Sequence, residues 1–250
     1  MPRLRRSAPR SLRSRHAPGV TASPGRLGAP LAGVLATLAV LAAPPGVPAQ
    51  PAAYSGAEIR ARVVDKETKQ PLQGVFVIAE SSLDALMSPG KTPLQLMEAV
   101  TDAKGEFYFP PWGPKERPTF SQLWGGDPRL WLFKPGYEPD GVGNPTVPDD
   151  RPVRVSHWHA KTIELTPFRG TPEQWAAYLG SMRTTLRWGW PTNEFPRRIN
   201  DYWKHYPRTV LAVLEEIRRL PEPYRVVDLD EWQVSEEQLR EAARGKERTP

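Results

Sequence analysis

The sequence predicts an all-β sandwich followed by a small α-helical C-terminal segment, an α+β chain overall, and three observations carry that expectation. Thirty prolines stand among 250 residues, more than twice ordinary usage, which favours loops and short strands over long helices. Between residues 57 and 166, short alternating or wholly apolar runs are punctuated by Pro and Gly turns, the spacing of a sandwich. Beyond Thr166 the apolar residues recur every three or four positions instead, which is helical spacing.

The first 49 residues read as a signal peptide. Seven arginines and no acidic residue precede or flank a thirteen-residue apolar run, Leu31–Ala43, and small residues follow up to Val47-Pro48-Ala49, the order a cleaved leader requires. Cleavage is expected after Ala49, giving a periplasmic or secreted protein. As a helix the run rises about 20 Å, short of the roughly 30 Å of a hydrocarbon core, so no stable membrane anchor is expected after cleavage. Without the leader, 27 basic residues face 28 acidic ones, and the lasting basic face that a nucleic-acid binder needs is missing. Residues 50–56 are expected to be a linker.

The segment 57–64 alternates, with Ala57, Ile59, Ala61 and Val63 on one parity and Glu58, Arg60 and Arg62 on the other, as a half-buried strand does. Asp65–Gln70 is a polar turn in which Asp65 can accept nearby backbone N–H groups, and Pro71 directs the return. Gly74–Ala79 is apolar on both parities and reads as a central strand, paired with the first as a hairpin. Residues 81–98 form a variable stretch. Asp102-Ala-Lys-Gly105 is a tight turn into Glu106–Phe109, whose Phe107 and Phe109 face the core. Leu130–Phe133 is a further strand stopped by Lys134-Pro-Gly136, and Arg151–Leu165 holds one or two more with a bulge near His157.

Three blocks together carry a resemblance: Ile59 to Val77 with Asp65, Pro71 and Gly74; Thr101-Asp102-Ala103 with Gly105, Phe107 and Phe109; and Pro135-Gly136-Tyr137. They resemble the carboxypeptidase regulatory-like domain over about residues 57–166. The resemblance implies a transthyretin-like (prealbumin-like) sandwich of about seven strands, and a non-catalytic, often exported module without peptidase activity. On this reading the sandwich occupies 57–168, a helical segment packed on it 169–221, and a C-terminal tail with a short helix 222–250.

In the helical part, Thr171-Pro-Glu-Gln174 and Ser235-Glu-Glu-Gln238 are capping boxes. Trp175, Tyr178, Leu179, Met182 and Leu186 mark a first helix. Ile199, Tyr202, Trp203 and Tyr206 mark a short second one, and Pro207 starts a third that Pro221 ends. A last polar helix after Ser235 is expected to fray. Short helices are marginal alone in water, so their stripes are expected to cover the outward residues Phe76, Ile78, Trp131 and Phe133.

No catalytic constellation is found. Neither His-x-x-Glu nor His-Glu-x-x-His occurs, nor a Gly-x-Ser-x-Gly elbow, a phosphate loop or a Gly-x-Gly-x-x-Gly turn. Absence of cysteine removes disulfides, thiolate metal sites and a lipid-modified cysteine together. No cofactor is expected. The weak metal candidates are His157 and His159, which would share a strand face, with Tyr108 or Tyr137 as oxygen ligands; in that form the chain is similar to the intradiol dioxygenases. Trp112, Trp124, Trp188 and Trp190 sit beside Gly or Pro, where exposed aromatics can stack on a sugar or grip a peptide. The leading expectation is a non-enzymatic interaction or structural module of the envelope, with a protein or glycan partner. A carbohydrate-binding module is the alternative, and a metal-dependent oxygenase the third reading.

Overall fold

The computed structural model describes residues 51–85, 91–119, 121–123, 126–145, 151–186, 201–225 and 234–247. Among them the strands are β1 (Ala53–Gly56), β2 (Ile59–Asp65), β3 (Phe76–Ala85), β4 (Lys91–Val100), β5 (Glu106–Phe109), β6 (Trp112–Glu116), β7 (Ser121–Leu123), β8 (Arg129–Phe133), β9 (Asp140–Val142), β10 (Val153–Arg154) and β11 (Thr162–Leu165). The helices α1 (Pro172–Leu186), α2 (Pro207–Arg219) and α3 (Glu236–Glu247) follow, with a 3-10 turn at Asp201–His205 between the first two. No described helix is long and apolar enough to cross a membrane.

The strands form an inner sheet in the order β4-β3-β8-β9, with β7 on the far end of β3; an outer sheet β11-β2-β5; and an end sheet β10-β1-β6. A mostly β, sandwich-like body with C-terminal helices is therefore the fold. The two parities of the inner sheet explain its unbroken apolar runs. Val75, Val77, Ala79, Leu130 and Leu132 point to the outer sheet and meet Ile59, Ala61, Val63, Phe107, Phe109, Ile163 and Leu165. Ile78 and Phe133, flanked by Phe76 and Trp131, share the opposite cluster with Trp175, Leu179, Val210 and Leu214 of α1 and α2. Phe133 stacks on Trp175 with ring centroids 6.4 Å apart. A strand with an apolar layer on each side has no reason to alternate.

Four expectations are corrected. The strands at 59–65 and 76–85 do not make a hairpin, because β2 lies in the outer sheet and β3 in the inner one. The outward parity of β2 carries Arg60 and Arg62, exposed to solvent; within the inner sheet those guanidiniums would be buried without water, which is costly. Residues 81–98 are no loose insert, since β3 and β4 pair from Phe76↔Val100 to Asp84↔Lys91. The linker expected at 50–56 contains β1, paired parallel with β10 and antiparallel with β6, and its Tyr54 is fully buried with Leu83 and Leu123. Finally, the last helix is no frayed tail: Leu239 and Ala243 are buried in the helical cluster, and full burial of one leucine stabilises by about 2 kcal/mol.

Both capping boxes form. Gln174 accepts from the Thr171 N–H at 2.8 Å while Thr171 Oγ1 accepts from the Gln174 N–H at 3.3 Å, and Ser235 and Gln238 repeat the exchange. At the start of α3, Glu236 also receives Arg218 of α2 and Arg240 one turn on. Those two guanidiniums hold its carboxyl at about 2, below the ordinary 4.5. A depressed carboxylate stabilises the fold above its unfolded value and loses that contribution as pH falls through its folded one. We therefore expect the protection of the α3 amides, relative to their intrinsic exchange rates, to fall between pH 4.5 and 2, before that of β3. An Arg218→Met variant should show fast exchange already at pH 6; equal protection at both pH values would refute the coupling.

Candidate functional site

The face of the inner sheet is used up by packing on both sides, whereas the outer sheet leaves Arg60 and Arg62 of β2 and Glu106 and Tyr108 of β5 in solvent. Its solvent parity brings together side chains far apart in sequence. In the register of β2 with β5, Arg60 lies opposite Tyr108 and Arg62 opposite Glu106; in that of β11 with β2, Thr162 lies beside Arg62. These residues, with Lys161, Asp102 and the end of β4 at Ala99 and Val100, line an open groove of about 570 Å³.

Tyr108 is 43% exposed, and the Arg60 guanidinium stands 4.2 Å above its ring, a cation–π contact of about 0.5–1 kcal/mol at such a site. Arg62 is steered by its Nε, which donates to the Lys104 carbonyl at 3.0 Å. Asp102 does not answer these cations. Its Oδ1 accepts the N–H groups of Lys104 and Glu106, each at 2.8 Å, and so builds the turn. Arg60 reaches Glu58 only at 3.4 Å, an exposed pair of little energetic weight. The groove thus holds three cations, the carboxylates of Asp102 and Glu106, and one exposed aromatic.

The turn residues have distinct jobs. Asp65 Oδ1 accepts from Glu67 N–H at 2.8 Å and Thr68 N–H at 2.7 Å, and Oδ2 from the Tyr137 hydroxyl at 2.9 Å. The Thr68 N–H, foremost among these donors, holds the Asp65 carboxyl below the usual range, while burial and the facing Asp65 push the Tyr137 phenol up. Pro71 bridges to Val64. Gly74, Gly105 and Gly136 have φ of 75°, 74° and 81°, backbone that favours glycine.

The histidine pair does not lie on a strand. Residues 157–160 form a turn between β10 and β11, and a turn has no two-residue periodicity to aim both rings one way. His159 Nδ1 sits 3.1 Å from the Glu58 carbonyl, whereas His157 Nε2 faces the Lys161 ammonium at 2.8 Å. Tyr108 lies under Arg60 and Tyr137 on Asp65, so neither tyrosine joins the histidines. Among the described residues no three His, Asp or Glu converge. Trp112 is no exposed platform: it is half-buried in the cluster of Tyr54, Leu83 and Leu123, and a Cβ on Gly56 would stand 2.1 Å from its Nε1. Trp124, Trp188 and Trp190 lie outside the described residues.

A polar network buried along β3 and β8 of the inner sheet has no counterpart in the sequence expectations. Trp131 Nε1 donates to Glu80 at 2.9 Å, the Ser82 hydroxyl donates to the same carboxylate, and the Ser82 N–H donates to Asp127 Oδ2 at 2.6 Å. Arg154, 1% exposed, lies 5.6 Å from the Tyr54 ring centre. The Trp131 and Asp127 bonds tie β3 to β8 and to the residues just before it. Their only sequence signal is the polar run Glu80-Ser81-Ser82 inside an otherwise apolar strand.

No protein-family model matches the chain, and no curated protein matches it in sequence. Among solved structures, the C-terminal domain of the shaft pilin SpaA from Lactobacillus rhamnosus GG aligns over 47% of this chain and 100% of its own, at 13% identity and a TM-score of 0.22. A 9R-lipoxygenase from Cyanothece aligns over 70% of this chain at 15% identity and a TM-score of 0.23, and this chain spans 28% of its length. At such scores neither similarity carries an argument about function.

Proposed function

We propose that this protein is a non-catalytic binding module of the bacterial envelope, of the carboxypeptidase regulatory-like type, that acts through the outer face of its β11-β2-β5 sheet. The observation that carries the reading is the grouping of Arg60, Arg62, Tyr108 and Lys161 on one open groove. Cations whose own ion pairs are exposed and weak are ready to meet an acidic partner surface, and complementary charge speeds encounter and selects the partner. The motif residues Asp65, Pro71, Gly74, Asp102 and Gly105 build the turns at the edges of that sheet, which supports the family reading. The partner class is an envelope protein presenting carboxylates.

A photo-crosslinking residue in place of Tyr108 tests this in cells. We expect a discrete protein adduct that disappears when Arg62→Glu is added, and that a crosslinker at the exposed Val155 does not give. Adducts to glycan would transfer the face to carbohydrate recognition. Identical adducts from both positions would remove the groove as the working surface. Export is checked separately: protein recovered from the envelope should begin at Gln50, and an intact Met1 would overturn the leader.

A further inference from the structure

A second groove, of about 670 Å³, opens where the turn after Asp65, the segment after Gly136 and helix α1 meet. Main-chain bonds join its sides: the Glu138 N–H donates to the Thr166 carbonyl and the Phe168 N–H to the Gly136 carbonyl, each at 2.9 Å. Helix α1 buries Trp175, Leu179 and Met182 in the helical cluster, and the adjoining stripe of Gln174, Tyr178 and Ser181 lines the groove. Phe168 packs on the buried Trp175 with ring centroids 4.9 Å apart, and meets Tyr178 at 5.7 Å with the two planes at 85°. Two half-buried rings, both lining the groove, thus make a preformed apolar corner. Gly170 leaves it room: a Cβ there would stand 2.5 Å from Phe168 Cζ and 2.5 Å from Gln174 Oε1. The polar groups around the corner are of both kinds. The Glu138 carboxylate has no hydrogen-bond or ion-pair partner among the described residues, nor have the hydroxyls of Tyr178 and Ser181. Gln174 accepts from the Thr171 N–H through its oxygen at 2.8 Å and keeps its amide hydrogens. Arg169 and Glu67, paired at 2.5 Å, neutralise one another, so the groove carries the single negative charge of Glu138.

We propose that this groove binds a neutral pyranose unit of a glycan, one face of the sugar against Phe168 and Tyr178 and its hydroxyls shared between Glu138 and the Gln174 amide. A pyranose has the matching make-up: a C–H face that suits an aromatic ring, and a rim of hydroxyls that each donate and accept. Small-molecule sites combine an apolar wall with a few polar groups that fix orientation in this way. Other ligand classes leave part of the groove unanswered. An apolar side chain would bury the Glu138 carboxylate without a partner, which is costly. An acidic sugar or a phosphate would face that carboxylate, and an organic cation would meet Glu138 but not the donors of Gln174 and Arg169. This groove shares no residue with the one on the outer sheet, and its role does not rest on that one.

The test is an NMR titration of the purified full chain with cellopentaose, maltopentaose and chitopentaose, and with oligogalacturonate as the charged comparison. At least one neutral pentaose should shift the amides of Gly170, Ala177 and Ser181, and oligogalacturonate should not. Tyr178→Ala should weaken that response about tenfold, whereas Tyr178→Phe, which keeps the ring, should retain most of it. Glu138→Ala, at a side chain with no structural partner, should also weaken it about tenfold and leave the rest of the spectrum in place. Silence with all three neutral pentaoses, or a response equal in both alanine variants, overturns the site. Equal binding of oligogalacturonate overturns the assignment to a neutral sugar. Shifts confined to Lys161 and Thr162 overturn it too, by moving the glycan to the outer sheet. A protein adduct at Tyr108 is unaffected by any of these results, so the two proposals fail separately.

Discussion

Replacing Glu98 by alanine should lower the stability of the protein by about 3 kcal/mol, because one buried carboxylate joins the sandwich to the helices and breaking a buried pair is strongly destabilising. Its side chain, on β4, is 0% exposed. One oxygen accepts from the Thr209 N–H at 2.6 Å and from the Thr209 hydroxyl at 2.7 Å, and the other from Arg208 Nε at 3.0 Å. Helix α2 begins at Pro207, and Tyr206 in the N-cap position makes no side-chain cap, so the carboxylate of a distant strand takes over the orphan N–H that a local Ser or Asp would usually satisfy. Alanine leaves that N–H and the Arg208 guanidinium without their acceptor. For a body of this size the midpoint of thermal unfolding should fall by roughly 10 °C. Glu98→Gln keeps one acceptor and should lose about half as much. A midpoint within about 2 °C of the parent would show that the helices do not depend on this anchor.

Gly105→Val should cost about 3 kcal/mol or more, the strain of positive φ for a branched residue being joined by a clash with main chain. A Cβ at Gly105 would stand 2.4 Å from the Val63 carbonyl oxygen and 3.1 Å from the Leu72 N. Those atoms belong to the hydrogen bonds that tie the turn to β2, where Val63 N–H donates to the Gly105 carbonyl at 2.8 Å and Leu72 N–H to the Val63 carbonyl at 3.0 Å. Gly74 is the internal comparison. Its φ of 75° is nearly the same, yet its nearest contact is the flexible Lys134 Nζ at 3.8 Å, so Gly74→Ala should pay the dihedral cost of about 1 kcal/mol alone. Urea unfolding of Gly105→Ala beside Gly74→Ala separates the effects, since both then carry the same side chain; equal losses would mean that the close approach at Gly105 carries no weight.

Much of the fold was legible because local rules act over a few residues. The alternation of β2 placed Ile59, Ala61 and Val63 inside and Arg60 and Arg62 outside, and the same parity put Phe107 and Phe109 in the core and Tyr108 in solvent. Half of the candidate groove was therefore already readable as the outward residues of two strands. Lys161 was not: it joins Arg60 only because β11 pairs with β2 after about a hundred intervening residues. Trp112 misled, since a neighbouring glycine and proline suggest a loop, whereas its ring fills space left beside the bare Gly56.

By itself the sequence determined periodicity, turn chemistry and helix starts, properties set by backbone sterics and by hydrogen bonds among neighbours, as the Asp65 turn and the two capping boxes show. Only the tertiary structure decided which strand pairs with which. Backbone N–H and C=O groups are the same in every strand, so β2 next to β3 and β2 next to β5 satisfy the ladder equally well. The choice falls to burial summed over the whole molecule: β3 and β8 need an apolar layer on both faces, β2 with its arginines tolerates only one, and the helices supply the second layer where Ile78 and Phe133 require it.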